Sequence, residues 1–233
     1  MMSNKKTARI AGLLYLCVVL TGIFSLAYVP SKLIVLDDPV TTYNNIKASE
    51  SLFRFGIVSG LLCYVFFLFL PVALYKLLKP VNEVYAKLMV LLAVTSVPIS
   101  YFNIQNKFAV LSIIKGEVFK TFTNEQLQSQ VMFYLNQFNK GILMVSVFWG
   151  LWLLPFGYLV YKSGFLSKIF GVLLMLGCFG YLINFLGNSL IVDYSSLGVS
   201  KYISMPATFG EIGICLWLLI MGAKETKTSI KTL

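Results

Sequence analysis

Glu211 is the residue of this chain most able to do chemistry, because it stands inside the last apolar stretch, where water cannot solvate a carboxylate. With that span beginning near Met205, the side chain lies about 9 Å along the helix from its outer end at 1.5 Å per residue. An uncompensated charge deep in a span costs about 2.5 to 3.5 kcal/mol, so a buried carboxylate needs a partner or a proton and marks a functional position by default. Arg54, about one turn into the second apolar stretch, is the cation that could supply the partner. Asn103 with Asn106 and Asn136 with Asn139 are spaced three apart, and Asn184 with Asn188 four apart, so each pair shares a helix face. All belong to the outer half of the expected bundle. The reading that follows is an outward-opening polar pocket in which Arg54 pairs with Glu211 and Asn103, Asn106, Asn139 and Asn184 complete the hydrogen bonding around a ligand. The competing reading is that these groups reach lipid headgroups or bond neighbouring helices together.

Catalysis has little to stand on. The chain has no histidine, which removes the commonest metal ligand and the usual general base near neutral pH. No second carboxylate, nucleophile–base pair or metal cluster accompanies Glu211 within a span, so no catalytic residue, metal or cofactor is expected and the chain reads as a non-enzyme. No lysine lies in mid-span of the last stretch, as a retinal Schiff base would require. Cys17, Cys63, Cys178 and Cys215 all fall within apolar runs without a C-x-x-C pair and read as packing residues.

The elements that must position these residues are membrane spans. Hydrophobic residues make up 58% of the 233 positions and charged ones 12%, with a mean hydropathy of +0.82. That is more apolar surface than a soluble domain of this size could bury. About 20 apolar residues cross roughly 30 Å of hydrocarbon, and six runs qualify, at approximately 10–29, 52–78, 85–114, 139–161, 166–188 and 205–223. The fold class is therefore an all-α polytopic transmembrane helical bundle of six spans, treated as a single membrane domain over 1–233, because only helices close their backbone hydrogen bonds within one segment in lipid.

The formal charge of +10 follows the loops rather than a phosphate-binding track, which argues against nucleic acid. Eleven of the 19 basic residues, Lys5, Lys6, Arg9, Lys76, Lys79, Lys87, Lys162, Lys168, Lys224, Lys227 and Lys231, gather in alternate short segments. By the positive-inside rule both termini are cytoplasmic. Ser25-Leu26-Ala27 resembles a signal-peptide cleavage site, but the preceding apolar run is longer than such signals, so it is expected to stay as the first span.

Thr123 and Gln126 form a capping-box pair that starts an outer amphipathic helix at about 124–138. If this ran unbroken to Tyr161 it would be nearly 57 Å long, so a bend is expected near Gly141. Pro71, Pro98 and Pro155 predict kinks. Gly56-x-x-x-Gly60 and Ser146-x-x-x-Gly150 predict close helix contacts. Tyrosines at the span ends form an aromatic belt, whereas Trp149, Trp152 and Trp217 lie deeper and read as packing between helices.

Ser49-Glu50-Ser51-Leu52-Phe53-Arg54, the following Gly56 to Leu62, Phe148-Trp149-Gly150-Leu151-Trp152-Leu153-Leu154-Pro155, Tyr158 to Leu166, and Gly210-Glu211 resemble an uncharacterised bacterial multi-pass membrane protein family known only as a domain of unknown function, number 4386 in its series. The resemblance runs from about Lys5 to Gly222. It implies a bacterial cytoplasmic-membrane protein with this span order and a recurrent polar set at Arg54, Asn103, Asn106, Asn139 and Glu211. Family members often carry His before the amide matching Asn139; here that position is Phe138, so no imidazole role transfers.

The function expected from these residues is a non-enzymatic ligand-binding or accessory membrane module, embedded in the bilayer and taking a small or lipidic ligand. The alternative is a small proton- or ion-coupled transporter with Glu211 as the coupling carboxylate; a membrane enzyme is the third and weakest reading.

Overall fold

The computed structural model describes residues 4–223, and among these the regular elements are helices with no strand. Six stretches are long and apolar enough to cross a bilayer: Asn4–Leu33, Glu50–Leu78, Glu83–Ile114, Asn124–Lys162, Lys168–Leu190 and Val199–Ile220. The chain is an all-α, six-span, multi-pass membrane protein. Its exposed surface carries large apolar side chains such as Phe55, Phe69, Leu91 and Phe209, which water would penalise and lipid covers. Lys224, Lys227 and Lys231, counted above among the basic residues, lie outside the described residues.

The first span has three parts: α1 (Asn4–Ile23), a π-helical segment over Phe24–Tyr28, and α2 (Val29–Leu33). A short helix α3 (Pro39–Ala48) leads into α4 (Glu50–Leu78), followed by α5 (Glu83–Ile114), α6 (Asn124–Leu151), α7 (Leu153–Lys162), α8 (Lys168–Leu190) and α9 (Val199–Ile220). The start of α3 is fixed by its residue types. Pro39 takes the first position, where no N–H is needed, and Asp38 accepts the Thr41 backbone N–H at 2.9 Å. That hydrogen bond holds the Asp38 carboxyl below its ordinary range. The capping box before α6 forms as expected, with the Thr123 N–H donating to Gln126 Oε1 at 2.9 Å and the Gln126 N–H donating to Thr123 Oγ1 at 3.3 Å.

The fourth span departs from expectation at one place. The helix runs straight through Gly141 and breaks at Trp152. Pro155 explains the break, since it has no N–H for the Leu151 carbonyl four residues earlier. Gly141 is small for another reason: a Cβ there would collide with the Asn103 side chain. The helix is regular at Gly141 because it needs the missing side chain for packing rather than for bending.

Two compact units divide the residues. Of the described residues, one contains 4–16, Leu68–Val94 and 146–223; the other contains Cys17–Phe67 and Thr95–Val145. In the first, close approach is arranged by glycines. A Cβ at Gly12 would fall on the α9 backbone at Leu219, and Cβ atoms at Gly177 and Gly180 would meet Ala207 and Ile203. Trp152 is 1% exposed and stacks on Phe156 with ring centroids 5.2 Å apart, as its packing role requires. In the second unit, Gly56 and Gly60 do what their spacing predicts. A Cβ at Gly56 would lie 3.0 Å from Val29 Cγ1, and one at Gly60 would lie 2.8 Å from Ser25 Oγ, so α4 sits tight against the first span.

Candidate functional site

The second unit holds a cavity of about 300 Å³. Its walls come from the end of the first span through Leu26, Val29 and Leu33, from α4 through Phe53, and from α6 through Leu135, Phe138, Asn139 and Ile142. Into this apolar wall α5 delivers a cation, Lys107. Seven residues before the end of α5, Lys107 lies about 10 Å along the helix from that end. It is 5% exposed.

Local backbone chemistry accounts for one of its contacts. In the π-helical segment the Val29 N–H bonds the Phe24 carbonyl, five residues back. By the same register the Ser25 carbonyl would need an N–H from residue 30, which is proline and has none. Val29, its α-helical partner, is already spent on Phe24. Lys107 Nζ supplies the missing donor, reaching the Ser25 carbonyl at 3.4 Å. The ammonium also sits 4.2 Å from the centroid of the Phe138 ring, a cation–π contact worth about 0.5 to 2 kcal/mol. Among the described residues no carboxylate lies within ion-pair distance of it.

The amides expected at this site divide by role. Asn103 is 7% exposed, and its Nδ2 donates to the Phe138 carbonyl at 2.9 Å, tying α5 to α6. Asn106 Nδ2 donates to the Asn103 carbonyl and to Asn103 Oδ1, each at 3.1 Å, which orients that amide. Asn139 is exposed and lines the cavity. Arg54, one residue after the wall residue Phe53, is held by Glu50 one turn earlier on the same helix, with Nε to Oε1 at 2.6 Å.

Glu211 belongs to the other unit and has different partners. Tyr15 donates to Oε2 at 3.1 Å and Tyr181 donates to Oε1 at 3.3 Å, so each carboxylate oxygen receives one phenol. The ion pair expected between Arg54 and Glu211 is therefore not the contact either residue makes: Glu50 is within a helical turn of Arg54, and two tyrosines meet the carboxylate. Glu211 is also deeper than expected. Because α9 starts at Val199 and its 22 residues span about 33 Å, a side chain twelve residues in sits near mid-span, about 18 Å from the start. The glycine contacts described above bring α1 and α8 against α9 and so deliver Tyr15 and Tyr181. Tyr15 lies 6.3 Å from Trp152 and 6.5 Å from Phe156, ring to ring, which encloses the pair in aromatic surface. Asn184, in the same unit, acts between helices: Nδ2 donates to Ser204 Oγ at 2.8 Å and Oδ1 accepts from Tyr194 at 2.9 Å.

Asn103, Asn106 and Asn139 are thus gathered beside the cavity in the unit that also holds Arg54, while Asn184 and Glu211 belong to the other unit. Sequence reasoning missed Lys107, Tyr15 and Tyr181. Lys107 follows Asn103 by four residues, the spacing of one helix face, and that was the signal available. Nothing comparable marks the tyrosines, which sit 196 and 30 residues from Glu211.

A family model described as a domain of unknown function, DUF4386, matches residues 10–222. The chain belongs to the DUF4386 family. An uncharacterized protein from Archaeoglobus fulgidus is 29% identical over 171 residues, covering 73% of this chain and 85% of that relative. No solved structure matches the chain. A DUF4386 assignment carries no activity, so function has to be argued from the side chains.

Proposed function

We propose that this DUF4386 protein is a non-enzymatic membrane module that binds a small or lipidic ligand in the cavity of the second unit, with both termini on the cytoplasmic face of the plasma membrane. The orientation rests on the short basic connections. One observation carries the binding reading: a lysine ammonium, buried among apolar side chains and without an acidic partner among the described residues, lines a cavity large enough for a ligand. A pocket that is apolar with a few convergent polar groups is the usual form of a small-molecule site. Lys107 and Asn139 are those groups here, with Asn103 and Asn106 holding the helices that present them.

Purification of the full chain in mild detergent, followed by extraction and mass spectrometry of whatever co-purifies, tests this. Wild type should retain a molecule that an Ile142→Trp variant, with its cavity filled, does not. The same lipids recovered from both would overturn the proposal.

Glu211 favours a second reading, that of a small proton- or ion-coupled transporter. A mid-span carboxyl held by two phenols can take up and release a proton or a cation in the membrane. Proteoliposomes would then show a pH-dependent flux that Glu211→Gln abolishes.

A further inference from the structure

We infer that the occupant of the second-unit cavity is a single-chain amphiphile with a carboxylate head, a fatty-acid anion, whose head is held by Lys107; this rests on the cavity being a binding site. Charge complementarity selects the anion. A buried ammonium left alone in hydrocarbon is costly, and a ligand bringing one negative charge offsets that cost with the strongest kind of hydrogen bond. The charge count favours a monoanion. Lys107 is the one unpaired cation among the described residues lining the cavity, since Arg54, the nearest other cation in sequence to a wall residue, is already neutralised by Glu50. A phosphate monoester carries up to two charges and would need a second donor group of the same kind.

Donor capacity agrees. An ammonium has three N–H groups. One is turned to the Ser25 carbonyl at the long distance of 3.4 Å, and the Phe138 ring face takes the cation without consuming an acceptor. Donors therefore remain for a carboxylate, and the Asn139 amide at the exposed side of the cavity can supply another. The tail is accommodated by Leu26, Val29, Leu33, Leu135 and Ile142, a wall with no polar atom beyond the backbone. Leu26 and Leu36 are exposed apolar residues on that wall, which suits a ligand arriving from the bilayer. The π-helical turn belongs to the same design. By removing the backbone donors for Ser25 it creates the acceptor that fixes the lysine, and such turns recur at functional sites.

The test uses the full chain in nanodiscs of zwitterionic phosphatidylcholine and compares palmitate, palmityl alcohol and palmitoyl lysophosphatidate by native mass spectrometry, with ¹³C-carboxyl palmitate followed by NMR. Palmitate should bind about tenfold or more tightly than the alcohol, the loss expected when a charge-assisted hydrogen bond is removed. Lys107→Gln should remove that preference, Lys107→Arg should keep it, and Ile142→Trp should displace every probe. Equal binding of palmitate and alcohol, both displaced by Ile142→Trp, would overturn the anionic head and leave the cavity reading standing. Tighter binding of the lysophosphatidate would replace carboxylate by phosphate. Failure of every probe to bind above the Ile142→Trp background would overturn both readings. The acid-against-alcohol comparison on wild type decides the point even if Lys107→Gln does not fold.

Discussion

Glu211 and Lys107, one in each unit, are ionisable side chains well inside their spans, and the two units treat them in opposite ways. Glu211, half-buried, is held by its own chain: two tyrosines from α1 and α8 take its two oxygens, and stacked aromatic rings stand behind one of them. Lys107 is left poised, with one long hydrogen bond, one aromatic face and a cavity alongside. A group whose polar capacity is met by its own chain contributes stability, whereas a group whose capacity is partly unused is available to something else. On the binding reading proposed above, the difference favours the unit containing Lys107 as the ligand site and gives Glu211 first the role of holding three helices together.

That contrast can be broken by measuring unfolding free energies in bicelles. Removing both phenols, Tyr15→Phe with Tyr181→Phe, leaves a half-buried carboxylate without donors and should cost roughly 1 to 3 kcal/mol, more than either single change. A double variant as stable as wild type would mean that Glu211 does not depend on its tyrosines. Gly141→Leu drives a side chain into Asn103 and should cost about 1 to 3 kcal/mol through overpacking, with loss of the α5–α6 contact visible as faster hydrogen exchange around Phe138. Lys107→Gln should change stability by less than about 1 kcal/mol, because the charge it removes was weakly satisfied. A large destabilisation there would make Lys107 a structural residue and erase the distinction between the units. The smallest effect is expected at Asp38. Its carboxyl is held below the ordinary range by Thr41, so its contribution to α3 is complete above about pH 4 and fades as pH falls through the depressed value. Protection factors at Thr41 and Thr42, with the intrinsic pH dependence of amide exchange divided out, should fall as the pH drops through that window in wild type and stay level in Asp38→Ala.

The spans were legible because a run of some twenty apolar residues has one stable arrangement in lipid, and the α6 start was legible because Thr123 and Gln126 satisfy each other within one turn. Pro155 was rightly expected to disturb its helix, but Gly141 was wrongly expected to bend it, because the absence of a side chain reads alike whether it permits bending or close packing. Arg54 finding Glu50 was available from their spacing of four, a local pairing that outcompetes a partner over 150 residues away. Asn103 and Asn106 were correctly placed on one face, yet that their amides would bind a carbonyl and each other depended on the neighbouring helix.

Hydropathy and charge patterning by themselves determined six helices in a membrane, their approximate limits and the existence of intramembrane polar residues, since each of these follows from the local free energy of transferring a segment into hydrocarbon. Tertiary structure decided which polar groups meet: that Gly12, Gly177 and Gly180 deliver tyrosines to Glu211, and that Lys107 turns toward the Ser25 carbonyl, left without a backbone donor by a π-helical turn and the proline just after it, beside a cavity. Partner choice depends on helix crossings set by packing between residues far apart in the chain, and no local transfer energy encodes them.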